Sequence, residues 1–536
     1  PPPAMRRSRC TANSSDKMSR NTPHVMSTTD PAWRSSADRR VPGLALALLL
    51  AALLRFWGLG QGIPFNPGVD EPEVMDRALR MMKSGDFNPH FFDYPSLYMY
   101  VQTAVAVLRF MIGAMQGRWS ALAQAQTADF YLWARGVTAI IGTGTVWLVY
   151  RAGTRWGPRT ALLAAVMLAV MPLHVRESHY ALTDVPMTFF VVLTLLLSLR
   201  AHERATAWSF VAAGAAAGLA GATKYNGLIA FLIPLLACAT TRAAQPSRLQ
   251  AILWTTAGLL AAFLMAAPYT LIDLPHFLNQ FARLISEYRT PGLQKPMWVT
   301  YLKHLRAALG WPGSVLVTAG LILGAGRVLA GPDRVKWLLV IAFPLVYFWF
   351  ISNQTIVFGR YLLPLVPFLS LIAADTVVWI VTQLRAIRMP RPVRAAAILG
   401  MVIVVIVPPG YTAISFGIEQ TKVSTSALAY DWVRREIPPG TTIWLEGSVA
   451  IKLPPEYRAT YLKQLRQADL ERVSLTAVQY LVASSQSYGE YLDAPKTYPQ
   501  EYQDYQRIFN ETQEVARFTP SREHPGPELR ILKVRR

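Results

Sequence analysis

Long apolar segments are the feature that most constrains the fold of this chain. Of its 536 residues, 52% are hydrophobic and only 16% are charged, and the apolar residues gather in long runs between residues 41 and 416. Each run has about 17–22 residues, and a helix of that length crosses about 30 Å of hydrocarbon. These runs exclude a disordered chain and a single soluble domain. The sequence therefore predicts an all-α polytopic membrane protein.

Eleven apolar segments are predicted to span the membrane, and their flanks carry the positive charge. They are residues 41–59, 132–150, 160–176, 185–200, 208–223, 227–240, 251–270, 308–328, 337–352, 361–382 and 395–416. The net charge is +21, and Arg and Lys residues gather at alternate junctions between the segments. Because cytoplasmic loops carry such an excess, the pattern predicts a multi-pass protein of the cell membrane with a cytoplasmic N-terminus and an extracytoplasmic C-terminal domain. The charge indicates topology and not binding to nucleic acid.

One further apolar segment, Leu97–Met115, is predicted to lie on the outer membrane surface. Counting it as a span would invert every later loop and place the arginine clusters outside. It also carries Gln102 and Arg109, which suit an amphipathic helix at the interface. Residues 61–131 then form one large external loop, and residues 272–307 form a second.

Two segments outside the spans have a different character. Residues 1–40 are rich in Arg, Ser, Thr and Pro without periodicity and predict a disordered cytoplasmic tail. Residues 41–417 form the predicted membrane domain, and residues 418–536 a small soluble α/β domain that we expect to shape acceptor access without supplying a reacting group. The predicted elements of this domain are strands at Thr441–Glu446, Val478–Ser484 and Glu528–Val534, and helices at Ser424–Ile437 and Glu501–Phe509.

The acidic and aromatic residues of this C-terminal domain indicate no catalytic site. Its carboxylates, such as Glu446, Glu456 and Asp469, are scattered among Lys and Arg as on a solvated surface. Its tyrosines cluster at Tyr488–Tyr491 and Tyr498–Tyr505. Helical spacing favours core packing for these rings over sugar binding.

Two adjacent carboxylates, Asp70 and Glu71, follow the first span directly. A charged carboxylate near hydrocarbon needs compensation, which makes the pair unusual. Such a group can act as the general base for an acceptor hydroxyl or orient a cation. The alternative is an ordinary helix start, because Asp is a favoured N-cap and Pro72 suits a first turn.

Other charged residues also fall at predicted external ends of spans. Asp184 precedes the fourth span and Arg176 ends the third, while Lys224 and Arg360 depart from the positive-inside pattern. Basic side chains beside aromatic rings at the outer leaflet suit the binding of a lipid-linked phosphate. The alternatives are a helix cap for Asp184 and snorkelling to lipid headgroups for the two cations.

A polar, aromatic stretch at residues 85–97 is typical of a folded surface loop. We assign His90, Asp93 and Tyr94 in it to substrate binding. His90 and Asp93 have side chains that bind metals, but a lone His in a loop seldom does so. We therefore expect no cofactor, and we leave a divalent metal open.

The order of these motifs along the chain, and the side of the membrane on which each is predicted to lie, resemble those of the GT-C glycosyltransferases of the protein O-mannosyltransferase and lipid A aminoarabinose transferase kind. The resemblance covers residues 41–416. The matching features are Asp70-Glu71, the stretch Gly85–Leu97, Arg135 at the second span, Asp184-Val-Pro, Thr223-Lys224, Pro268-Tyr269 and Arg360-Tyr-Leu-Leu-Pro.

The resemblance implies a membrane enzyme that uses a polyprenyl-phosphate sugar as donor and acts on the extracytoplasmic side. It implies catalytic roles for Asp70, Glu71 and Asp184, and a role in donor binding for Arg360. To the donor-phosphate site we add three residues, which are Lys224, Tyr361 and Arg176. The Glu-Lys pair that the aminoarabinose transferases carry before two prolines in the first loop is replaced here by Phe92-Asp93-Tyr94-Pro95-Ser96. The long insertion of the eukaryotic protein mannosyltransferases is missing from loop 272–307.

The prediction from the sequence is an inverting sugar transfer to an acceptor hydroxyl of a protein or glycolipid. In it Asp70 removes the acceptor proton, and Arg360 and Lys224 stabilise the departing lipid phosphate. The partners are then the polyprenyl-phosphate sugar, membrane lipids and the acceptor. The alternatives are a flippase or transporter for lipid-linked sugars, and a sugar polymerase or ligase that uses a lipid diphosphate.

Overall fold

The computed structural model describes residues 40–63, 70–241, 246–288, 297–449, 451, 453–467 and 478–535. The predicted disordered tail lies outside the described residues except for Arg40, and so does Asp469. From Gly43 onward the chain forms one compact unit. The predicted boundary at residue 417 between a membrane domain and an accessory domain stays a prediction.

The first half of the chain is helical. Most predicted spans fall on one helix each, but 160–176 is divided between two helices and 227–240 begins in a 3₁₀ turn. The helices are α1 Arg40–Phe56, α2 Glu71–Ser84, α3 Leu97–Met115, α4 Ala128–Gly153, α5 Pro158–Ala169, α6 Pro172–Glu177, α7 Asp184–Arg204, α8 Ala207–Thr223, α9 Leu232–Thr240 and α10 Arg248–Ala266. A 3₁₀ turn at Tyr225–Phe231 leads into α9.

The second half continues the helical bundle and ends in a small mixed sheet. Its helices are α11 Tyr269–Ile272, α12 Leu274–Tyr288, α13 Met297–Ala330, α14 Arg334–Ser352, α15 Val366–Ala386, α16 Arg391–Glu419 and α17 Thr425–Glu436. A 3₁₀ turn at Gly359–Leu365 leads into α15. The remaining elements are β1 Thr442–Glu446, β2 Arg458–Leu462, β3 Val478–Ser484, α18 Ser485–Asp493, α19 Pro499–Glu511, β4 Thr512–Phe518 and β5 Leu529–Val534.

Within the described part of the chain, 8 helical segments are long and apolar enough to cross a membrane, and shorter apolar helices accompany them. The fold class is confirmed, but the count of eleven spans is not. One of the 8 segments is Leu97–Met115, which we predicted to lie on the surface because of Gln102 and Arg109. Both side chains are buried: Gln102 Nε2 donates to Tyr98 Oη at 2.6 Å, and Arg109 stacks on Trp119. The surface position of α3 stays a prediction, but it is no longer supported by Gln102 and Arg109, because both side chains have partners inside the protein.

Glycines allow α8 and α10 to pack with their backbones in close approach. A Cβ atom at Gly214 would lie 1.9 Å from the carbonyl oxygen of Thr255, and one at Gly258 would lie 2.2 Å from that of Val211. Helices in lipid gain little from hydrophobic burial, so close contact between small residues provides much of their association.

We expect Gly214→Ala to destabilise the protein, because the methyl group would force these two helices apart. Overpacking costs about 1–3 kcal/mol. The matched control is Gly136→Ala in α4, where nothing lies within 4 Å of the added Cβ. There the higher helix propensity of Ala should be neutral or stabilising by about 0.5–1 kcal/mol. Thermal unfolding midpoints in detergent would compare the two variants, and equal midpoints would contradict the packing account.

The α/β module, defined as α17 to β5, is built on a five-stranded sheet of order β2-β1-β3-β5-β4. Strand β1 runs parallel to β2 and β3, while β5 is antiparallel to β3 and β4. Successive residues of a strand point to opposite faces. Val482 accordingly packs with Val433 of α17, whereas its neighbour Leu481 packs with Tyr488 and Tyr505 of α18 and α19. These tyrosines are core residues, as the sequence predicts.

Glu446 corrects the prediction that the acidic residues of this module are solvated. It ends β1 and is fully buried, and its carboxylate accepts hydrogen bonds from the backbone N–H groups of Leu465 and Ser484 and from the hydroxyl of Tyr505. Burial raises the pKa of Glu446, and the hydrogen bonds oppose that rise. Glu446 therefore joins the carboxyl ends of β1 and β3 to α19.

Candidate active site

The carboxylate of Asp70 pairs with a cation from the second half of the chain. It occupies the N-cap position of α2, but its side chain makes no capping hydrogen bond. Instead its Oδ2 atom accepts a hydrogen bond from Nη2 of Arg360, in the 3₁₀ turn before α15. The predicted helix start is present, with Asp70 at the N-cap position and a Pro in the first turn, but the carboxylate binds a guanidinium group and does not cap the helix.

Asp184 lies between two cations. It is the first residue of α7, and its side chain is only 4% exposed. Its Oδ1 accepts a hydrogen bond from Lys224 Nζ at 2.8 Å, and its Oδ2 lies 3.8 Å from Nε of Arg360. These four residues, Asp70, Asp184, Lys224 and Arg360, form what we call the charge cluster. The negative charges of its two carboxylates balance the positive charges of its two cations, which lowers the free-energy cost of burying these groups.

Tyrosine rings surround the cations of the charge cluster. Lys224 Nζ lies 4.7 Å from the ring centroid of Tyr361 and 5.7 Å from that of Tyr94, within the range of cation–π attraction. The hydroxyls of Tyr361 and Tyr288 are hydrogen-bonded at 2.7 Å. Burial, and then the nearby carboxylates, raise the pKa of Tyr94. Its phenol therefore stays protonated and can donate a hydrogen bond to an oxygen ligand.

Glu71 has surroundings quite unlike those of Asp70. Its carboxylate receives two hydrogen bonds from Arg135, at 2.9 Å and 2.6 Å, and one from the backbone N–H of Ala181 at 2.7 Å. Arg135 also donates to the carbonyl oxygens of Leu59 and Gln61. The pair is buried and joins α4, the start of α2, the turn after α1 and the loop before α7. A catalytic role for Glu71 stays a prediction, and these contacts favour a positioning role.

Comparisons with known proteins identify the fold. The sequence model of the dolichyl-phosphate-mannose-protein mannosyltransferase family matches residues 81–284. ArnT from Cupriavidus metallidurans, bound to undecaprenyl phosphate, superimposes with a TM-score of 0.52 at 15% identity over 94% of this chain and 98% of its own. The oligosaccharyltransferase AglB from Archaeoglobus fulgidus, in complex with an inhibitory peptide and a dolichol-phosphate, has a TM-score of 0.55 at 13% identity over 87% of this chain and 72% of its own. The chain has the GT-C glycosyltransferase fold.

The predicted resemblance to the GT-C glycosyltransferases is thereby confirmed. An apo structure of the same ArnT agrees, with a TM-score of 0.55 over 93% of this chain and 98% of the other. The comparison with curated proteins found no significant match in sequence. With its apolar helices and the GT-C fold, the protein is a multi-pass membrane protein.

The other predicted site residues of this GT-C chain are distributed around the charge cluster. Arg176 pairs with Glu177 at 2.7 Å and is half exposed. His90 contacts Asp86 at 2.8 Å, and Asp93 contacts Arg283 of α12 at 2.9 Å. The structure thus brings Tyr94 and Tyr361 to the cluster, whereas the contacts of His90 and Asp93 shape the loop and anchor it to α12.

A cleft of about 390 Å³ opens beside Asp70 and Arg360. Part of its wall comes from the bundle, through Arg176, Glu177 and Tyr180. A second part of the lining, which we call the module wall, was not predicted from the sequence. It consists of Glu419 and Gln420 at the end of α16, Ser424 before α17, and Ser426, Gln486 and residues 525–527 of the α/β module. The Pro-Gly-Pro run at 525–527 signals a loop, but only the tertiary structure shows what the loop faces.

Metal ligands do not gather in the part of the chain that the structure describes, where no three His, Cys, Asp or Glu residues are placed to hold an ion. His90 and Asp93, the pair considered from the sequence, have separate partners. The expectation that no cofactor is needed stays a prediction.

Proposed function

We propose that the protein transfers a sugar from a polyprenyl-phosphate donor to an acceptor hydroxyl, with inversion at the anomeric carbon. The charge cluster carries this proposal: it combines a carboxylate placed to take a proton with two cations placed to hold a phosphate. The family and fold comparisons support the same activity, because two of the similar structures contain a polyprenyl phosphate.

The reaction divides between the two halves of the cluster. Asp70 takes the proton of the acceptor hydroxyl as its oxygen bonds to the anomeric carbon. The bond from that carbon to the phosphate oxygen breaks, and its electron pair leaves with the lipid phosphate. The leaving phosphate gains negative charge in this step, so Lys224 and Arg360 stabilise the transition state more than the bound donor.

Arg360 couples donor binding to the activation of Asp70. In the structure it donates a hydrogen bond to Oδ2 of Asp70, so this oxygen is already engaged. The phosphate of the donor would compete for the same N–H groups, for which phosphate is a good bidentate partner. Donor binding then draws Arg360 away from Asp70, whose oxygen is free to accept the proton when the acceptor arrives.

The positions of the charges favour a transferase over a lipid flippase. Asp70 and Asp184 lie at the starts of α2 and α7, and Lys224 follows the end of α8. Substrate sites of secondary transporters lie near the membrane midplane. A cluster at helix ends suits a reaction at a membrane surface.

The same geometry supports an extracytoplasmic site and a cytoplasmic N-terminus. Helices α4, α7 and α15 each start near the cluster or the Glu71–Arg135 pair and carry a basic residue in the last turn, namely Arg151, Arg204 and Arg385. The basic residues therefore gather at the opposite end of the bundle. The positive-inside rule assigns that end to the cytoplasm.

The direct test is reconstitution of the full chain in proteoliposomes with polyprenyl-phosphate mannose, glucose or aminoarabinose. Mass spectrometry should detect free polyprenyl phosphate together with a glycosylated or hydrolysed product. Movement of intact lipid-linked sugar between leaflets without glycosidic cleavage would contradict the proposal and favour the flippase. Cleavage only of a lipid diphosphate sugar would favour the polymerase or ligase.

We expect Arg360→Ala to weaken binding of polyprenyl phosphate by about 10–100-fold, because a hydrogen bond between charged groups contributes about 1.5–3 kcal/mol. Binding of the uncharged polyprenol should change little, and the ratio of the two affinities is the measurement. Arg385→Ala at the other end of α15 is the matched control. Equal losses for the phosphate and the alcohol would show that Arg360 only maintains the fold.

A further inference from the structure

The module wall is a rigid part of the cleft. The backbone N–H of Thr425 donates to the carbonyl oxygen of Pro525 at 3.0 Å, and its hydroxyl donates to that of Pro527 at 2.8 Å. Between them Gly526 has φ of +134°, and a Cβ there would lie 2.2 Å from Thr425 Oγ1. The loop 525–527 is thus fixed on the start of α17, with Gly required at its centre.

Close contacts also fix the end of α16, which leads into the module, against the turn after α1. A Cβ at Gly417 would lie 2.9 Å from the ring of Trp57, and a Cβ at Gly58 would lie 2.5 Å from the Cβ of Gln420. The turn after α1 and the end of α16 therefore pack with little space between them. The cleft between the module wall and Asp70 is preformed, as small-molecule sites usually are.

The chemistry of the lining excludes an anionic acceptor. The module wall presents the amide side chains of Gln420 and Gln486 and one carboxylate, Glu419. Ser424 and Ser426 are buried, and their hydroxyl oxygens are hydrogen-bonded to backbone groups of Ala427 and Val449. The whole lining contains three carboxylates against two guanidinium groups, so its net charge is negative. Arg176 is already paired with Glu177, and Arg360 belongs to the donor-phosphate site of the proposed reaction. A phosphorylated acceptor would meet repulsion here.

The lining also favours a sugar over a peptide. The amide and carboxylate groups of the wall match sugar hydroxyls, each of which donates and accepts hydrogen bonds. An extended peptide is commonly bound along an exposed strand edge. Among the described residues of the module wall, Glu419 belongs to α16, Ser426 to α17 and Gln486 to α18, and none belongs to a strand.

We infer that the module wall is the binding subsite of a neutral carbohydrate acceptor, whose hydroxyl it directs toward Asp70. The role of this carbohydrate as an acceptor rests on the proposed function. The binding itself does not, because the wall and its chemistry are independent of the reaction.

The test measures sugar binding directly. Full-length protein in lipid nanodiscs is titrated with maltose, cellobiose and mannobiose, and binding is followed by saturation-transfer difference NMR. We expect at least one of these disaccharides to bind, and Gln486→Ala and Glu419→Gln to raise its Kd by about three- to tenfold each, the scale of a lost hydrogen bond. Gln500→Ala, on the exposed side of α19, is the matched control and should leave the Kd unchanged.

Three results would overturn the inference. The first is that no neutral disaccharide binds. The second is that the two cleft variants and the control have equal Kd values. The third is that glucose 6-phosphate or a Ser/Thr peptide binds more tightly than the disaccharides and that Gln486→Ala weakens this binding. Donor cleavage is assayed separately in the same preparations. Sugar binding without donor cleavage would reject the proposed function alone, and donor cleavage without sugar binding would reject the subsite alone.

Discussion

Asp70→Asn is expected to reduce sugar transfer by about 10²–10⁴-fold, the scale on which a general base contributes. Asn has the size and shape of Asp but cannot take a proton at neutral pH. The side chain is about one quarter exposed at the cleft. The amide should therefore fit without a change in stability, and the loss should fall on kcat, with the affinity for polyprenyl phosphate kept or increased because Arg360 is released.

The matched control for Asp70 is Asp76→Asn, on the exposed face of α2. It removes the same charge from the same helix, away from the cluster, and should leave turnover unchanged. The measurements are donor cleavage and transfer with purified protein in nanodiscs, together with the unfolding midpoint of each variant. Undiminished turnover of the Asp70 variant would remove the general-base assignment.

The helices of this protein could be predicted because their signal is local. Predicted segment 185–200 falls within α7, and segment 395–416 within α16. A continuous apolar run has to satisfy its own backbone hydrogen bonds in lipid, so its helical state follows from its sequence alone. The strand Val478–Ser484 was predicted with the same bounds that the structure shows, because a buried strand also has an apolar pattern.

Elements without an apolar pattern could not be predicted. Strands β2 and β4 were missed because both have mixed polar sequences and a mainly exposed or half-exposed surface. Their strand character comes from pairing with β1 and β5, which depends on the tertiary structure. The burial of Glu446 was missed for the same reason, since its hydrogen-bond donors come from residues 19, 38 and 59 positions away.

The candidate site shows the same limit at the level of single residues. From the sequence, Asp70, Asp184, Lys224 and Arg360 each had a simple structural explanation as a cap or a snorkelling side chain. The decisive fact is that they meet, and Arg360 reaches Asp70 across 290 positions of sequence. From the sequence, only the resemblance to GT-C enzymes placed these residues in one site, and it gave no distances between them.

Glu71→Ala is expected to destabilise the protein by about 3–5 kcal/mol, because it leaves the guanidinium group of Arg135 buried without its counter-charge. Arg135 and Glu71 are both almost fully buried, so water cannot replace the lost partner. The backbone N–H of Ala181, in the loop that leads to Asp184, would also lose its acceptor. Expression level and the thermal unfolding midpoint in detergent should both fall.

A double variant separates positioning from catalysis at Glu71. Glu71→Met with Arg135→Leu removes both charges, and well-packed apolar residues can replace a buried ion pair at little cost. We expect this variant to recover part of the lost stability, but not all of it, since Arg135 also holds the carbonyl oxygens of Leu59 and Gln61. If Glu71 only positions the loops, the double variant should recover measurable sugar transfer as it recovers stability, which Asp70→Asn cannot do. A stable double variant with no detectable transfer would instead contradict a purely positioning role, because Asp70 and Arg360 would be in place and only the Glu71–Arg135 pair would be missing.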